Sequence, residues 1–181
     1  MQSVEPIRDL NKIKAMKNEL LKSSFRDYVL FLCGINLGRR INDLLNLKVQ
    51  DLKGKSHLMI KENKTDKIIP LAINQELQTV IMNYSINMNK DDYLFKSRNG
   101  KNKPISRVQA YRILNNAAQK CNISMIGTHS MRKTFGYHFY RQTKDVATLM
   151  KLFGHSTPSI TLEYIGLCQE DYDESMKKFV L

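Results

Sequence analysis

Apolar residues recur every three or four positions along most of the chain, and short polar stretches separate these runs. This period places the apolar side chains on one face of a helix. It predicts helical stretches at 41–47 and 146–153, and helices that begin after the polar residues Asp9, Ser24, Asn74, Ser106, Thr128 and Thr157. A last short helix is expected between Glu170 and Leu181.

Several of the predicted helices carry start signals. Ser24 with Asp27, and Ser106 with Gln109, have the three-residue spacing of a capping box, in which two side chains satisfy N–H groups at the helix start. Thr157-Pro158 joins a capping hydroxyl to a proline at the first helical position, where the missing N–H has no helical partner to lose. A helix is therefore expected to start at 157–158.

The period changes to two in the first half of the chain. Residues 57–60 and 68–71 are short strand candidates, and the polar turn at 63–67 joins them into a hairpin. Pro70 is typical of an edge strand or a strand end. A third strand near 93–95 is a further candidate that would extend this hairpin. The predicted fold class is α+β and mainly helical, with a small antiparallel hairpin.

The composition indicates an ordinary globular protein. The 181 residues suit one domain, with 42% hydrophobic and 25% charged residues. No apolar run approaches the roughly 20 residues that a membrane span needs, and the start lacks the basic-then-apolar pattern of a signal peptide. We therefore expect one cytoplasmic domain over residues 1–181, with no membrane partner.

The cysteines and histidines do not form a recognisable motif. Cys33, Cys121 and Cys168 lie far apart, so reduced thiols are expected. His129 and His138 are nine residues apart, which is not a helix-face spacing used for zinc. No metal and no cofactor are expected.

The charge balance is strongly basic. There are 29 Lys and Arg residues against 17 Asp and Glu residues, which gives a formal net charge of +12 and a pI near 9.6. A domain with this balance carries the electrostatic signature of a polyanion binder. A solubilising lysine-rich surface is the ordinary alternative, and an anionic membrane surface is disfavoured because no basic amphipathic helix stands out.

Two segments in the first half carry side chains suited to a phosphate. Arg40 offers a planar guanidinium that matches phosphate oxygens, and Asp43, three residues on, could hold it. Lys64 lies in the hairpin turn, from which an amine can reach a site and give up a proton. Alone, each would be taken for an ordinary surface charge.

Two segments in the second half add acid–base and nucleophilic groups. His129 and Arg132 are three residues apart, so they share a helix face, and a histidine beside an arginine suits acid–base work next to an anion. His155 precedes a helix start, and Tyr164 lies nine residues after His155. A helix start favours phosphate, and tyrosine can be a covalent nucleophile once its proton is removed. Alone, each is an ordinary histidine or aromatic residue.

Together, and in this order, the four segments resemble the motifs of the tyrosine recombinases, the family of the phage integrases. The likeness runs from about residue 10 to the C-terminus. The matching motifs are Gly38-Arg39-Arg40-Ile41-Asn42-Asp43-Leu44-Leu45, Lys64-Thr65 with Ile69-Pro70-Leu71, His129-Ser130-Met131-Arg132, and Phe153-Gly154-His155-Ser156 with Tyr164 nine residues after the histidine.

The resemblance implies a fold, a reaction and a proton path. The fold is that of the family's catalytic domain, with the catalytic lysine on the hairpin. Tyr164 would attack a phosphorus atom of duplex DNA, giving a 3′-phosphotyrosyl link and a free 5′-hydroxyl. The free 5′-hydroxyl of a partner strand would then attack this link and complete the exchange. His129 would be its acid–base partner, and Lys64 would protonate the leaving 5′-oxygen. The energy stays in the covalent bond, so neither ATP nor a metal is implied.

The resemblance also implies how the phosphate is held. Arg40 and Arg132 would bind the non-bridging oxygens, His155 would donate a further hydrogen bond, and Asp43 would position Arg40. Apart from the resemblance, the candidate contacts to the DNA backbone, each of which alone could equally be a solvated surface charge, are Arg39, Lys48, Lys53, Lys55, Lys61, Lys67, Arg98, Lys101, Lys103 and Lys133.

Three features depart from the family pattern. Lys133 stands where a histidine often follows the arginine of the His-x-x-Arg motif, and Arg39 stands where an apolar residue is usual. The third is the lack of room for the N-terminal DNA-binding domain that usually precedes the catalytic one. A fragment or a short form of the family is therefore expected.

The expected partners are double-stranded DNA and further copies of the chain. Family members act as tetramers on two DNA sites, and the isolated chain could be a monomer. The expected biological role is that of a mobile-element integrase. No motif in the sequence encodes the target DNA sequence. Two alternatives are relaxation of DNA in the manner of a type IB topoisomerase, and a non-catalytic DNA-binding regulator on the same fold.

Overall fold

The computed structural model describes residues 4–61, 68–124, 126–167, 171, 173, 176–177 and 179–180. Its helices are α1 (Leu10–Ser23), α2 (Phe25–Leu37), α3 (Ile41–Leu45), α4 (Val49–Leu52), α5 (Gln75–Tyr84), α6 (Arg107–Lys120), α7 (Ser130–Thr143), α8 (Val146–Phe153) and α9 (Pro158–Tyr164). Strands β1 (His57–Lys61) and β2 (Ile68–Ala72) lie between α4 and α5.

Helix α2 forms the centre of the larger core. Its residues Val29, Leu30, Phe31 and Leu32 are all buried, because this helix packs against α1, α5 and α7 on different sides. A helix that is apolar all round is stable only in such surroundings. The central position of α2 fixes α7, the helix that begins just after His129.

A smaller apolar cluster holds the last two helices against α7. Leu149, Phe153 and Ile165 form its buried centre. Phe135 and Phe139 on α7 pack against this centre, and the rings of Phe135 and Phe153 lie 6.2 Å apart. The cluster therefore joins the helix that follows His129 to the segments that carry His155 and Tyr164.

The hairpin pairs β1 with β2 in antiparallel register, with Met59 opposite Pro70 and Lys61 opposite Ile68. Leu58 and Ile60 are buried between exposed neighbours, as the alternating pattern predicts. The third strand near 93–95 is not formed in the described part of the chain. There the sheet has two strands, and Tyr93 makes only an isolated bridge to Lys48.

Five of the six predicted helix starts are confirmed, those after Asp9, Ser24, Asn74, Ser106 and Thr157. The Ser106 hydroxyl accepts the Gln109 N–H at 3.1 Å, and Pro158 begins α9 behind Thr157. The Thr157 hydroxyl accepts the Ile160 N–H at 3.3 Å. Both helices therefore start where the sequence places them.

The capping box predicted at Ser24 is wrong, although α2 does begin after Ser24, and the start predicted after Thr128 is off by one residue. Ser24 is the cap residue of α2, but it makes no side-chain capping bond. Asp27 is buried and accepts from Arg26 at 2.8 Å, so it does not complete a capping box. His129, not Thr128, is the cap residue of α7. Half of the residues of the last predicted helix, 170–181, lie outside the described part of the chain.

Across the described residues, no helix combines the length and the apolar character that a membrane crossing requires.

Candidate active site

Arg132 is the most buried charged group of the site, with 2% of the residue exposed. Its Nη1 donates to the Gly38 carbonyl at 2.7 Å and its Nη2 to the Phe153 carbonyl at 3.1 Å. The guanidinium also lies 4.2 Å from the centre of the Phe153 ring. Arg132 therefore ties the end of α2 to the end of α8.

The buried charge of Arg132 is balanced mainly by neutral groups. Burial lowers the pKa of Arg132 to about 10, so the side chain remains charged at neutral pH. Among the described residues, no carboxylate forms an ion pair with it. A buried cation that is held by carbonyls and a ring favours an added anion.

Arg40 lies at the start of α3 and is exposed. Its backbone is extended, with φ −64° and ψ 149°, as is typical of the residue that caps a helix start, and α2 ends two residues earlier at Gly38, which has φ +58°. The positive charge of Arg40 contributes to lowering the pKa of His129 and of His155. Arg40 therefore acts electrostatically on both histidines from the open side.

Asp43 pairs with Arg39 and not with Arg40. Its Oδ2 lies 3.2 Å from Arg39 Nη2, and Arg39 Nη1 also reaches the Leu152 carbonyl at 3.5 Å. The predicted role of Asp43 beside Arg40 is therefore wrong in this structure. The helical spacing does not apply because Arg40 has an extended backbone. Arg39, predicted as a DNA contact, has a side chain only 14% exposed, which favours a structural link to α8.

Tyr164 is the last residue of α9, and its hydroxyl faces His129. The distance from Tyr164 Oη to His129 Nδ1 is 3.5 Å. The ring packs edge-on against Phe153 at 5.5 Å and against His155 at 5.2 Å. Burial raises the pKa of Tyr164, and the charges of Arg132 and Arg40 oppose that rise. Removal of its proton therefore calls for a neighbouring base.

His129 is the base that the geometry offers. Partial burial lowers its pKa, and the charges of Arg107, Arg132 and Arg40 lower it further. The imidazole is therefore neutral at pH 7, and Nδ1 can accept a proton. Arg107 was not among the site residues predicted from the sequence. The sequence did place Arg107 at a helix start, because Arg107 follows the Ser106 cap and begins α6.

His155 is held by a threonine of the next helix. Its Nδ1 lies 3.0 Å from Thr161 Oγ1, and the Thr161 hydroxyl donates to the Thr157 carbonyl at 3.3 Å. Because that hydroxyl has one proton, it accepts from Nδ1–H of His155. Burial and the charge of Arg132 lower the pKa of His155. Donation by the other nitrogen, Nε2, therefore requires the protonated form of the ring.

The other predicted lysines and arginines are placed unevenly around this site. Lys133 Nζ lies 5.3 Å from the centre of the Tyr164 ring, so Lys133 belongs to the site. Lys61 is exposed at the end of β1. Lys64 and Lys67 lie outside the described residues, so the place of the predicted catalytic lysine stays a prediction.

The basic loop at 97–104 borders a groove of its own. Arg98 and Lys103 line a groove of about 740 Å³, with Arg26 and Lys120 on its other walls. Lys101 is exposed on the same loop. Of the predicted catalytic residues that the structure describes, none lines this groove.

The sequence profile described as the phage integrase family matches residues 8–170. The chain is 48% identical over 179 residues to the probable integrase/recombinase YoeC of Bacillus subtilis, covering 99% of this chain and 98% of that protein. It is 28% identical over 170 residues to the tyrosine recombinase XerA of Pyrococcus furiosus, covering 92% of this chain and 59% of that protein.

Solved structures share the fold. The crystal structure of XerA recombinase matches with a TM-score of 0.79 at 21% identity, covering 99% of this chain and 68% of that one. The XerH site-specific recombinase, in a post-cleavage complex with its palindromic difH substrate, matches with a TM-score of 0.77 at 16% identity, covering 98% of this chain and 53% of that one. The predicted fold is confirmed.

This chain belongs to the phage integrase family. The predicted family and the predicted class of enzyme, a tyrosine-type DNA recombinase, are thereby confirmed.

Proposed function

We propose that this protein cuts and rejoins duplex DNA with Tyr164 as the nucleophile. The supporting observation is the contact of Tyr164 Oη with His129 Nδ1 at 3.5 Å, beside the buried cation Arg132. Arg132 and Tyr164 pack on the same Phe153 ring. A nucleophile, its base and a phosphate-binding cation thus meet at one place.

The first chemical step follows from this geometry. The Tyr164 proton passes to Nδ1 of His129 as Oη attacks the scissile phosphorus. The new P–Oη bond forms while the bond from phosphorus to the 5′-oxygen breaks. Lys64 gives its proton to that oxygen, so a 5′-hydroxyl leaves and a 3′-phosphotyrosyl link remains. Attack by a 5′-hydroxyl of the partner strand reverses these events and completes the exchange.

Fixed cations stabilise the charge that builds on the non-bridging oxygens. Arg132 is held in place by two carbonyls, and Arg40 approaches from the exposed side. His155 donates from Nε2 when protonated, and the phosphate itself raises the pKa of the ring by its charge. Arg107, near enough to His129 to lower its pKa, adds positive charge on the open side.

Double-stranded DNA is the proposed substrate and partner. The net charge of +12 supports this assignment, as do structural neighbours solved in complex with DNA, such as the λ integrase dimer bound to a core site. A tetramer on two DNA sites and a role in moving a mobile element are proposed with it. Residues 1–181 form the catalytic domain in this proposal.

The direct test uses a pool of nicked duplexes with randomised sequence around the nick. Release of the short fragment beyond the nick traps the covalent intermediate, which is seen as a DNA–protein band resistant to denaturant. We expect the band with the wild-type chain and with Tyr140→Phe, a control in the same apolar cluster as Tyr164. We expect no band with Tyr164→Phe, although DNA binding should persist.

Each other outcome has a definite meaning. A band that survives Tyr164→Phe would remove Tyr164 as the nucleophile. DNA binding without a band in the wild type would favour the non-catalytic regulator. DNA cleavage that leaves no covalent band and is lost in excess EDTA would indicate a metal-dependent nuclease. Plasmid relaxation without two-site exchange would favour a type IB topoisomerase activity.

A further inference from the structure

Residues 4–9, here named the N-terminal strap, run along α7 before α1 begins. Ile7 is the anchor of this strap and is almost fully buried. Its N–H donates to Thr134 Oγ1 at 2.9 Å, and its carbonyl accepts from His138 Nε2 at 2.9 Å. Thr134 and His138 are four residues apart on α7. The strap is therefore fixed to the helix that carries Arg132.

Arg8 extends from this anchor to the chain just beyond Tyr164. Its Nη2 donates to the Gly166 carbonyl at 2.6 Å and lies 3.1 Å from Glu5 Oε2. Its guanidinium lies 5.6 Å from the centre of the Tyr137 ring. The contact joins residues that are 158 positions apart in the sequence.

The chain turns sharply at Gly166, which has φ +73°. A Cβ atom at this position would lie 3.0 Å from Arg8 Nη2 and 3.2 Å from Pro6 Cδ. The strap thus packs closely on the turn that follows Tyr164. Glycine meets both demands, because it adopts this backbone conformation without strain and leaves room for the strap.

Helix α9 needs such an anchor because it has only seven residues. A helix this short has little stability of its own, so its end is fixed by what it packs against. Ile165 anchors the turn from the core side. Further along the chain, Asp171 accepts from Tyr137 Oη at 3.0 Å and from Arg141 Nη1 at 3.0 Å. Arg8 holds the chain only two residues after Tyr164, through the Gly166 carbonyl.

We propose that Arg8 is a positioning residue for Tyr164 and acts through the Gly166 carbonyl. This inference rests on the proposed function, in which Tyr164 is the nucleophile. The strap holds Arg8 on α7, and Arg8 holds the turn that ends α9, so the Tyr164 hydroxyl stays opposite His129. Without Arg8, the turn shifts, Tyr164 spends less time in line for attack, and DNA binding is unaffected.

The kinetic test compares Arg8→Ala, Arg8→Lys and the control Lys12→Ala in the full chain. Lys12 also donates to a backbone carbonyl, that of Asn122 at 3.4 Å, but away from the turn. The rate of covalent adduct formation is measured in single turnover on the nicked duplex pool, and the affinity for the same DNA is measured separately. We expect Arg8→Ala to slow adduct formation about 10- to 100-fold, the range that misplacement of a reacting group produces.

The two other variants should behave differently. Arg8→Lys keeps a donor and a charge, so it should recover most of the rate. Lys12→Ala should match the wild type, and affinity should stay within about twofold in all three, since one peripheral phosphate contact at most is at stake. A rate unchanged in Arg8→Ala, or a loss of affinity in place of a loss of rate, would overturn the inference.

A second measurement separates this inference from the proposed chemistry. 3-Fluorotyrosine is placed at position 164, and its ¹⁹F resonance is recorded without DNA. We expect Arg8→Ala to move or broaden the resonance toward the free amino acid, and Arg8→Lys and Lys12→Ala to leave it in place. If Arg8→Ala does not fold, Arg8→Gln, which keeps much of the side chain, takes its place. If the wild-type chain makes no adduct but Arg8→Ala still shifts the resonance, Tyr164 is refuted as the nucleophile, whereas the role of the strap in positioning Tyr164 is supported. A normal adduct with an unmoved resonance and an unchanged rate would refute the strap alone.

Discussion

The two arginines proposed to hold the phosphate differ in how the protein holds them. Arg132 is almost wholly buried and bonded to two carbonyls, whereas Arg40 is exposed at the start of a five-residue helix. Removal of Arg132 should therefore disturb the fold together with the chemistry, whereas removal of Arg40 should disturb the chemistry alone. The contrast separates a cation that is part of the core from one that depends on the substrate.

The largest effect is expected for Arg132→Ala. Loss of two hydrogen bonds from a charged donor should cost about 3 kcal/mol or more of unfolding free energy. For a chain of this size that cost should lower Tm by roughly 10 °C. Adduct formation should fall below detection. Calorimetry measures the Tm, and the nicked-duplex assay measures adduct formation. An unchanged Tm would contradict the proposal that Arg132 stabilises the fold.

Arg40→Ala should give the next largest effect, on catalysis only. We expect a fall of about 10²- to 10³-fold in the rate of adduct formation, the usual effect of removing one preorganised donor. Tm should change by no more than about 2 °C, as for other exposed substitutions. A large loss of stability would show that Arg40, like Arg132, contributes to the folded structure.

Arg39→Ala tests the arginine that the sequence could confuse with Arg40. Arg39 holds Asp43 and the Leu152 carbonyl, three residues before His155. We expect a fall of about tenfold in rate, as expected for a hydrogen bond worth roughly 1.4 kcal/mol in positioning. Asp43→Asn, which leaves Arg39 in place, should have a smaller effect. A greater loss from Arg39→Ala than from Arg40→Ala would reverse their assignment.

The smallest predicted effect is a pH dependence of stability. The pKa values of His129 and His155 lie below the ordinary 6.5, mainly because of burial. The unfolded chain therefore takes up protons first as the pH falls. The stability that these residues contribute is present above about pH 6.5 and is lost as the pH falls through their folded pKa values.

This pH effect is measured as the difference in Tm between pH 7.5 and pH 5.5. His155→Gln and His129→Gln should each reduce the difference, while His57→Gln, a change at an exposed residue outside the site, should not. Bound DNA should also reduce it, because the phosphate favours the protonated rings. A loss of stability that is the same in all four chains would contradict this origin.

The sequence predicted those parts of the site that local spacing determines. His129 and Arg132 come together because a helix starts between them. His155 and Tyr164 meet because a capped helix of seven residues spans the gap between them. Helix period and capping chemistry depend on near neighbours in the chain, so the sequence carries them directly.

The sequence could not predict the contacts that depend on packing between distant segments. Asp43 could pair with Arg39 or Arg40, and only the backbone at the end of α2 decides between them. Arg8 and Gly166 meet only because both lie against α7. No periodic pattern encodes such pairs, and their choice is a property of the folded core.

The most direct test of the central claim is to identify the residue that carries the DNA. The trapped adduct is digested with nuclease and trypsin, and the modified peptide is sequenced by mass spectrometry. Trypsin releases residues 152–177 as one peptide, which contains both Tyr164 and Tyr172. We expect a nucleotide linked through its 3′-phosphate to Tyr164. Attachment to Tyr172, to another residue or through a 5′-phosphate would contradict it.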